Sequence, residues 1–237
     1  MLIDLHEHTG GISFCARKDY KGICQDTQNV GIDGFVLTNH IVNYYPKKHG
    51  LDYKGFCEKY LEEFYKTEKY GKEIGLKVFF GLEITMDYHM EAHLLIYGAD
   101  DKFLLSNSPL YEYSLEELYK LVKANNMALV QGHPFRNGYH VEDTKFLDGI
   151  EINCHPKHVT MSDVIPKIAN DNKLMITCGG DYHADTSYRP KCGAYLPDNI
   201  KTGKDVANFI LTANSVKLSI HEQNADKPHV EEYKIVR

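Results

Sequence analysis

The sequence predicts an α/β fold in which short strands alternate with amphipathic helices. Three observations carry this. Hydrophobic residues make up 43% and charged residues 25% of the 237-residue chain, the balance of a globular protein. Seven short apolar runs, several rich in β-branched or aromatic residues, are separated by segments with apolar positions every three to four residues. Nearly every one of those runs meets a His or a carboxylate at one end. Seven alternations favour a parallel barrel over an open sheet, two arrangements that periodicity alone does not separate. No Pro-, Gly- or Ser-rich linker and no repeat interrupts the chain, so one domain over residues 1–237 is expected.

The expected strands are Leu2–Leu5, Gly34–Thr38, Lys77–Phe80, Ala92–Tyr97, Ala128–Gln131, Gly149–Asn153 and Leu174–Thr177. Between the first two, residues 13–30 read as a loop and a short helix ending near Gly31. Tyr53–Ile74 carries Phe56, Cys57, Tyr60, Leu61, Phe64 and Tyr65 at helical spacing, so a long amphipathic helix is expected there. Its interleaved Lys and Glu form a mixed-charge outer face. Ser114 and Glu117 form a capping box ahead of Leu115, Leu118, Tyr119 and Val122. Ser162 is the expected cap of a helix bearing Val164, Ile165 and Ile168, and Asp205–Thr212 the last helix, with Val206, Phe209 and Ile210 inward.

No apolar run approaches the roughly 20 residues that span a bilayer. The start, MLIDLHEHT, lacks the basic segment and long apolar stretch of a signal peptide, so a cytoplasmic protein with no membrane partner is expected. Six cysteines are scattered without a CxxC pair and read as free thiols. The net charge of −6 disfavours a nucleic-acid partner held by a basic surface. Nothing in the sequence bears on oligomeric state.

The unusual number is 13 His. His6 and His8 follow the first strand at i, i+2, a spacing that points both side chains one way. The next strands bring His40, Glu83, His93, His133, Asn153-Cys154-His155 and Asp181-Tyr182-His183 to their ends. In a barrel, functional residues gather at such ends. Imidazole and carboxylate are ligands of Zn, Mn and Fe, and a site without thiolates that keeps a position for water is catalytic rather than structural. His6, His8, His40, Glu83, His93, His133, Asp181 and His183 exceed the needs of one ion, so two or three divalent ions are expected, with Glu83 or Asp181 as a bridge. Paired ions suit phosphoryl displacement by an activated hydroxide.

In order and spacing these segments resemble the PHP (polymerase and histidinol phosphatase) family. The resemblance rests on Asp4-Leu5-His6-Glu7-His8-Thr9, Thr38-Asn39-His40, Gly81-Leu82-Glu83, the isolated His93, His133-Pro134 and Gly179-Gly180-Asp181-Tyr182-His183. It implies a distorted seven-stranded TIM-like (β/α) barrel and hydrolysis of phosphate esters. It also implies that His6, His8, Glu83 and Asp181 hold one metal, that His93 and His133 complete a second, and that His40 and His183 face a third. Asp181, His183 and Glu83 would be catalytic. There are two departures. The family's Asp before His40 is Asn39, expected to act on His40. Where a further third-site ligand often stands, the chain reads Gly10-Gly11-Ile12-Ser13-Phe14-Cys15, with no His or Asp. The third site is therefore expected to be weak or empty, with Cys15 the candidate substitute.

Arg136, then Arg17 and Arg189, are candidates for substrate phosphate. His155, Asn153 and Cys154 are candidates for the strand-six position. His140 and His158 could line the mouth, and His49, His89, His221 and His229 are expected to have no catalytic role. The leading expectation is a metal-dependent phosphomonoesterase acting on a small phosphorylated metabolite, histidinol phosphate being one candidate. The alternatives are a phosphodiesterase or 3′–5′ exonuclease, and a non-catalytic metal-bound regulatory module.

Overall fold

In a computed structural model, residues 1–235 are described. Strand β1 (Leu2–Glu7) is buried on both faces along its length, which is the condition of a strand inside a barrel. Its even positions, Asp4 and His6, lie on one face. On the other, Glu7 reaches Thr27 of helix α1 (Tyr20–Asn29). Asp19 caps α1 by accepting from Gly22 N–H.

Strands β2 (Gly34–Leu37), β3 (His40–Ile41) and β4 (Lys77–Thr85) follow, with the short helix α2 (Tyr45–Lys48) and the long helix α3 (Tyr53–Ile74) between β3 and β4. Phe56, Cys57, Tyr60, Leu61 and Phe64 of α3 are buried as the spacing predicts, and Phe64 and Tyr60 meet Phe80 of β4. Gly75 ends α3 with φ +77°, a left-handed C-terminus that glycine adopts without strain. Then come β5 (His93–Tyr97), α4 (Asp101–Ser106), α5 (Leu115–Ala124), β6 (Ala128–Gln131), β7 (Gly149–Asn153), α6 (Ile165–Asn172) and β8 (Met175–Gly179). The chain ends with β9 (Gly193–Tyr195), α7 (Gly203–Thr212), β10 (Ser215–Ile220) and β11 (His229–Lys234).

Among the described residues the sheet has 11 strands, in the order β11-β10-β9-β1-β2-β4-β5-β6-β7-β8, with β3 beside β4. It curls until β8 approaches β1, where Glu7 and Tyr182 form a parallel bridge and Gly180 N–H donates to Asp4 Oδ1 at 2.9 Å. The result is a mixed α/β fold with a nearly closed, barrel-like sheet. The expectation of a regular seven-stranded parallel barrel is corrected in two ways. First, β5 runs antiparallel to both β4 and β6. The connection from Thr85 to His93 is a hairpin loop, too short for a parallel crossover. Second, β9, β10 and β11 extend the sheet from β1 by antiparallel pairing. β11 is almost wholly exposed and reads HVEEYK, so no apolar alternation announces it.

Two helix caps differ in outcome. The Ser114–Glu117 capping box is present, and a second, Thr202–Asp205, starts α7 two residues before the expected Asp205. Ser162 is not a cap: its hydroxyl faces Glu222, and α6 begins at Ile165 with Pro166 in its first turn. All six cysteines are free. Among the described residues no helix is long and apolar enough to cross a membrane.

Candidate metal centre

The barrel gathers its imidazoles and carboxylates at one mouth. β1 delivers His6 and His8, β3 His40, β4 Glu83, the loop after β6 His133, and the loop after β8 Asp181 and His183. Because β5 is antiparallel, its first residue, His93, lies at this same end, opposite Thr85. Asp181 and His133 adopt φ of +47° and +26°, a region that is uncommon for residues with a Cβ and is found where surrounding structure dictates the direction of a side chain.

His6, His8, Glu83 and Asp181 bring one donor atom each within 4.8 Å of one another, and all four are buried. His6 Nε2 is 3.3 Å from Glu83 Oε1 and 3.4 Å from Asp181 Oδ1. His8 Nε2 is 3.4 Å from Glu83 Oε2 and 3.1 Å from Asp181 Oδ1. Ligands at about 2.0–2.1 Å around a tetrahedral zinc stand roughly 3.3 Å apart, so this spacing matches a ligand shell. His6 Nε2, His8 Nε2, Glu83 Oε2 and Asp181 Oδ1 are buried and have no hydrogen-bond partner among the described residues. Leaving such groups unpaired is costly, and a cation among them removes the cost.

Glu83 reaches further. Its Oε1 is 2.8 Å from His93 Nδ1 and 3.1 Å from His133 Nε2, and its Oε2 is 2.5 Å from His40 Nδ1, out of line for a hydrogen bond. His40, Glu83 and His93 form a second cluster of donors, and His8, His40 and His183 a third. Such buried His/carboxylate groups suit divalent metal ions. Burial pushes the Glu83 carboxyl up, but His40, His6 and His93 hold it well below its usual value. Asp181 is likewise held low against burial by His6 and His183. Burial, His183 and His40 hold His8 well below its ordinary range, so it is neutral and able to ligate.

The far side of each ring sets its tautomer. His6 Nδ1–H donates to Glu151 Oε1 at 2.9 Å, and Glu151 Oε2 accepts from His133 N–H and from Asn153 Nδ2. His93 Nε2–H donates to the Met90 carbonyl and His183 Nδ1–H to the Asp181 carbonyl. Ser13 donates its hydroxyl proton to Asn39 Oδ1 at 2.8 Å, so its Oγ accepts from His8 Nδ1–H at 3.2 Å and from His40 N–H at 3.1 Å. Asn39 therefore acts through Ser13 on both the His8 ring and the His40 backbone N–H. Sequence reasoning missed Glu151 and Ser13. The only available signal was a carboxylate between Ile150 and Ile152 in a buried strand.

Two cavities open on the cluster. One of about 350 Å³ is lined by His40, His93, His183, His155, Tyr44, Tyr45, Cys15 and Asp185 among others. The other, of about 330 Å³, runs along Phe135, Val159, Met161 and Ile165. Arg136, Lys157 and His158 border both. Arg136 Nη1 is 3.2 Å from Asp181 Oδ2, and its buried Nε has no partner among the described residues.

Arg189 does not reach the cavities. It is buried and paired with Asp4 at 3.0 Å and Glu7 at 2.6 Å, so its expected role in substrate binding is corrected to that of a structural cation. The Arg17 side chain is exposed and borders neither cavity, though its backbone N–H donates to the His183 carbonyl at 2.7 Å. Of the strand-six candidates, His155 lines the first cavity and bonds Asp185. Asn153 braces Glu151. Cys154 is turned away, with its sulfur 3.6 Å from Cys178 Sγ. His158 reaches the mouth, and His140 borders neither cavity.

Among solved structures, the fold matches a two-domain protein from Bacteroides vulgatus described as containing a predicted PHP-like metal-dependent phosphoesterase, with a TM-score of 0.66 and 16% identity over 93% of this chain. The fold is the one that PHP-like protein has. The chain spans 65% of the length of that protein. It also matches an amidohydrolase from Chromobacterium violaceum (TM-score 0.59, 13% identity, 89% of this chain and 97% of the other). A third match is a lesion-specific endonuclease from Pyrococcus furiosus (TM-score 0.60, 12% identity, 89% of this chain and 55% of the other). No family model and no curated protein matches the chain in sequence.

Proposed function

We propose that the chain is a metal-dependent phosphomonoesterase acting on a small phosphorylated metabolite, with two or three divalent ions of the Zn, Mn or Fe class. The observation that supports it best is the set of partnerless buried donors on His6, His8, Glu83 and Asp181, directly beside the guanidinium of Arg136. His6, His8, Glu83 and Asp181 would hold one ion. Glu83, with His93 and His133, would hold a second, and His40 and His183 would face a third. Bound ions of this kind lower the pKa of water and neutralise charge on phosphoryl oxygens.

The chain's own residues would do the rest. Arg136 is held through Nη1 by Asp181, and its unpaired Nε–H with the adjacent Nη2 is the fork that would donate to a phosphate; Lys157 and His158 add positive character to the same border between the cavities. His183 lines the cavity above the buried Glu83 and Asp181, and these three are assigned the catalytic roles. Glu151 and Ser13 keep His6 and His8 in the ligating tautomer. A net charge of −6 leaves little surface for a long polyanion, which favours a small monoester over a nucleic-acid strand.

The test is phosphate release from a panel of monoesters, histidinol phosphate among them, with Mn²⁺ or Zn²⁺ and with a chelator. Chelator-sensitive release is expected. A folded, metal-saturated protein that releases phosphate from no monoester and cleaves a diester instead would overturn the monoesterase reading.

A further inference from the structure

The cavity of about 330 Å³ is large enough for a small-molecule site, and its lining is of two kinds. On the side of the metal centre stand His133 and Arg136, and Arg136 also borders the other cavity, where His40, His93 and His183 lie. Away from them the wall is apolar, made of Pro134, Phe135, Val159, Met161 and Ile165. Val159 is 69% exposed. A single exposed valine is ordinary, but this one continues an apolar wall. Met161 holds φ at +58°, a region uncommon for a residue with a Cβ. Its carbonyl accepts from Val164 and Ile165 N–H at 3.1 and 3.0 Å. The turn thus fixes in the wall an unbranched side chain that adapts to the shape of what it meets.

The polar side chains of this cavity are already engaged. Glu151 holds His6, His133 N–H and Asn153 Nδ2. Asn153 Oδ1 accepts from His155 N–H at 3.0 Å, Asn137 Nδ2 donates to Glu91 at 3.0 Å, and Thr160 Oγ1 accepts from Gln223 N–H at 3.2 Å. A sugar or polyol placed here would bury hydroxyls against committed groups, which is costly. A substrate ammonium would find no free carboxylate, because Glu151 is the one carboxylate lining the cavity among the described residues.

We propose that this cavity receives the alcohol portion of the substrate, and that the substrate is the phosphate monoester of an apolar, uncharged alcohol. The phosphate sits at Arg136, and the organic body lies against Phe135, Val159 and Met161. On hydrolysis the P–O bond to the alcohol breaks, the oxygen of water joins phosphorus, and one proton of that water goes to the departing oxygen. The alcohol is therefore released neutral into an apolar space. The inference rests on the phosphomonoesterase reading above and narrows it against sugar, polyol and amino-alcohol esters.

The test separates binding from turnover. Metal-loaded protein is titrated calorimetrically with non-hydrolysable methyl-, butyl-, hexyl- and 2,3-dihydroxypropylphosphonate. Kd is expected to fall about threefold for each methylene added, and the dihydroxypropyl compound to bind at least about tenfold more weakly than the butyl. This series uses the wild type and needs no variant to fold. Val159→Asp, a change at an exposed position, is expected to cut the hexyl-to-methyl affinity ratio at least about fivefold. The effect of the new charge on phosphonate binding cancels in that ratio. Phosphonates that bind equally whatever their organic body, or that do not bind, overturn the proposal, as does a ratio unchanged in Val159→Asp. Tightening along the series with no phosphate released from any monoester would uphold the pocket and count against the phosphomonoesterase. Phosphate release with no preference for butyl over glycerol phosphate would do the reverse.

Discussion

Gly179 lies flat against His6: a Cβ on Gly179 would stand 2.4 Å from His6 Cβ and 2.7 Å from Glu151 Oε1. β8 can pack this close to β1 only because position 179 has no side chain. Gly179→Ala is therefore expected to push the His6 ring off its bond with Glu151. The overpacking should destabilise by about 1–3 kcal/mol, and metal affinity should fall with it. Calorimetric metal titration and thermal melts check both. An alanine variant with wild-type affinity would mean that His6 does not need this wall.

Glu151 holds His6 from behind at 2.9 Å. Glu151→Gln keeps the shape but removes the charge and offers an amide that can donate toward His6. Partners of this kind are worth about 10–100-fold in metal affinity, and a loss in that range is expected. If the variant binds metal as tightly as the wild type, Glu151 is only a core carboxylate.

Metal should also be visible as stability. A ligand at a hundredfold excess over its Kd adds about 2.7 kcal/mol, which for a chain of this size raises Tm by roughly 5–10 °C. Zinc or manganese should produce such a shift and a chelator should reverse it. A melt indifferent to both would argue that the partnerless donors of the cluster are satisfied in some other way.

Arg189, buried, and Arg136, part-exposed, should separate cleanly. Arg189→Met leaves Asp4 and Glu7 buried with no cation, and breaking such a pair costs about 3–5 kcal/mol. Its lost activity should track lost folding. Arg136→Ala should leave the melt nearly unchanged and raise KM for a phosphomonoester by about tenfold, the worth of a charge-assisted hydrogen bond. If Arg189→Met stays folded and shows only a raised KM, the assignment of the two residues must be exchanged.

The contrast between these two arginines shows where the sequence stops being legible. His6 and His8 announce themselves because a strand aims i and i+2 alike, and the seven inner strand segments show as apolar runs that meet a polar residue. Arg136 follows His133-Pro134 closely enough to be placed. Arg189 lies in a loop whose direction depends on where β9 pairs, and β9 is three residues long. The orientation of β5 was readable only from the shortness of residues 86–92. Glu151 looks like any charged residue until β7 and β8 place it behind His6.

Asn39 gives the last test. Its Oδ1 accepts from Thr9 N–H and from Ser13 Oγ, and its Nδ2 donates to Thr9 Oγ1. Aspartate can keep both acceptor roles, and the Thr9 hydroxyl can turn to donate to the other oxygen. Asn39→Asp is therefore expected to change stability by no more than about 1 kcal/mol, the worth of one hydrogen bond, and to leave metal affinity intact. Ser13→Ala is the disruptive change, because it strips partners from Asn39 Oδ1, His8 Nδ1 and His40 N–H together. His8 then loses the bond that keeps its Nε2 lone pair aimed at the centre, and metal affinity should fall at least about tenfold. Metal titrations of the two variants side by side decide the matter. A silent Ser13→Ala beside an impaired Asn39→Asp would show that the charge at position 39, rather than the serine relay to His8, governs the centre.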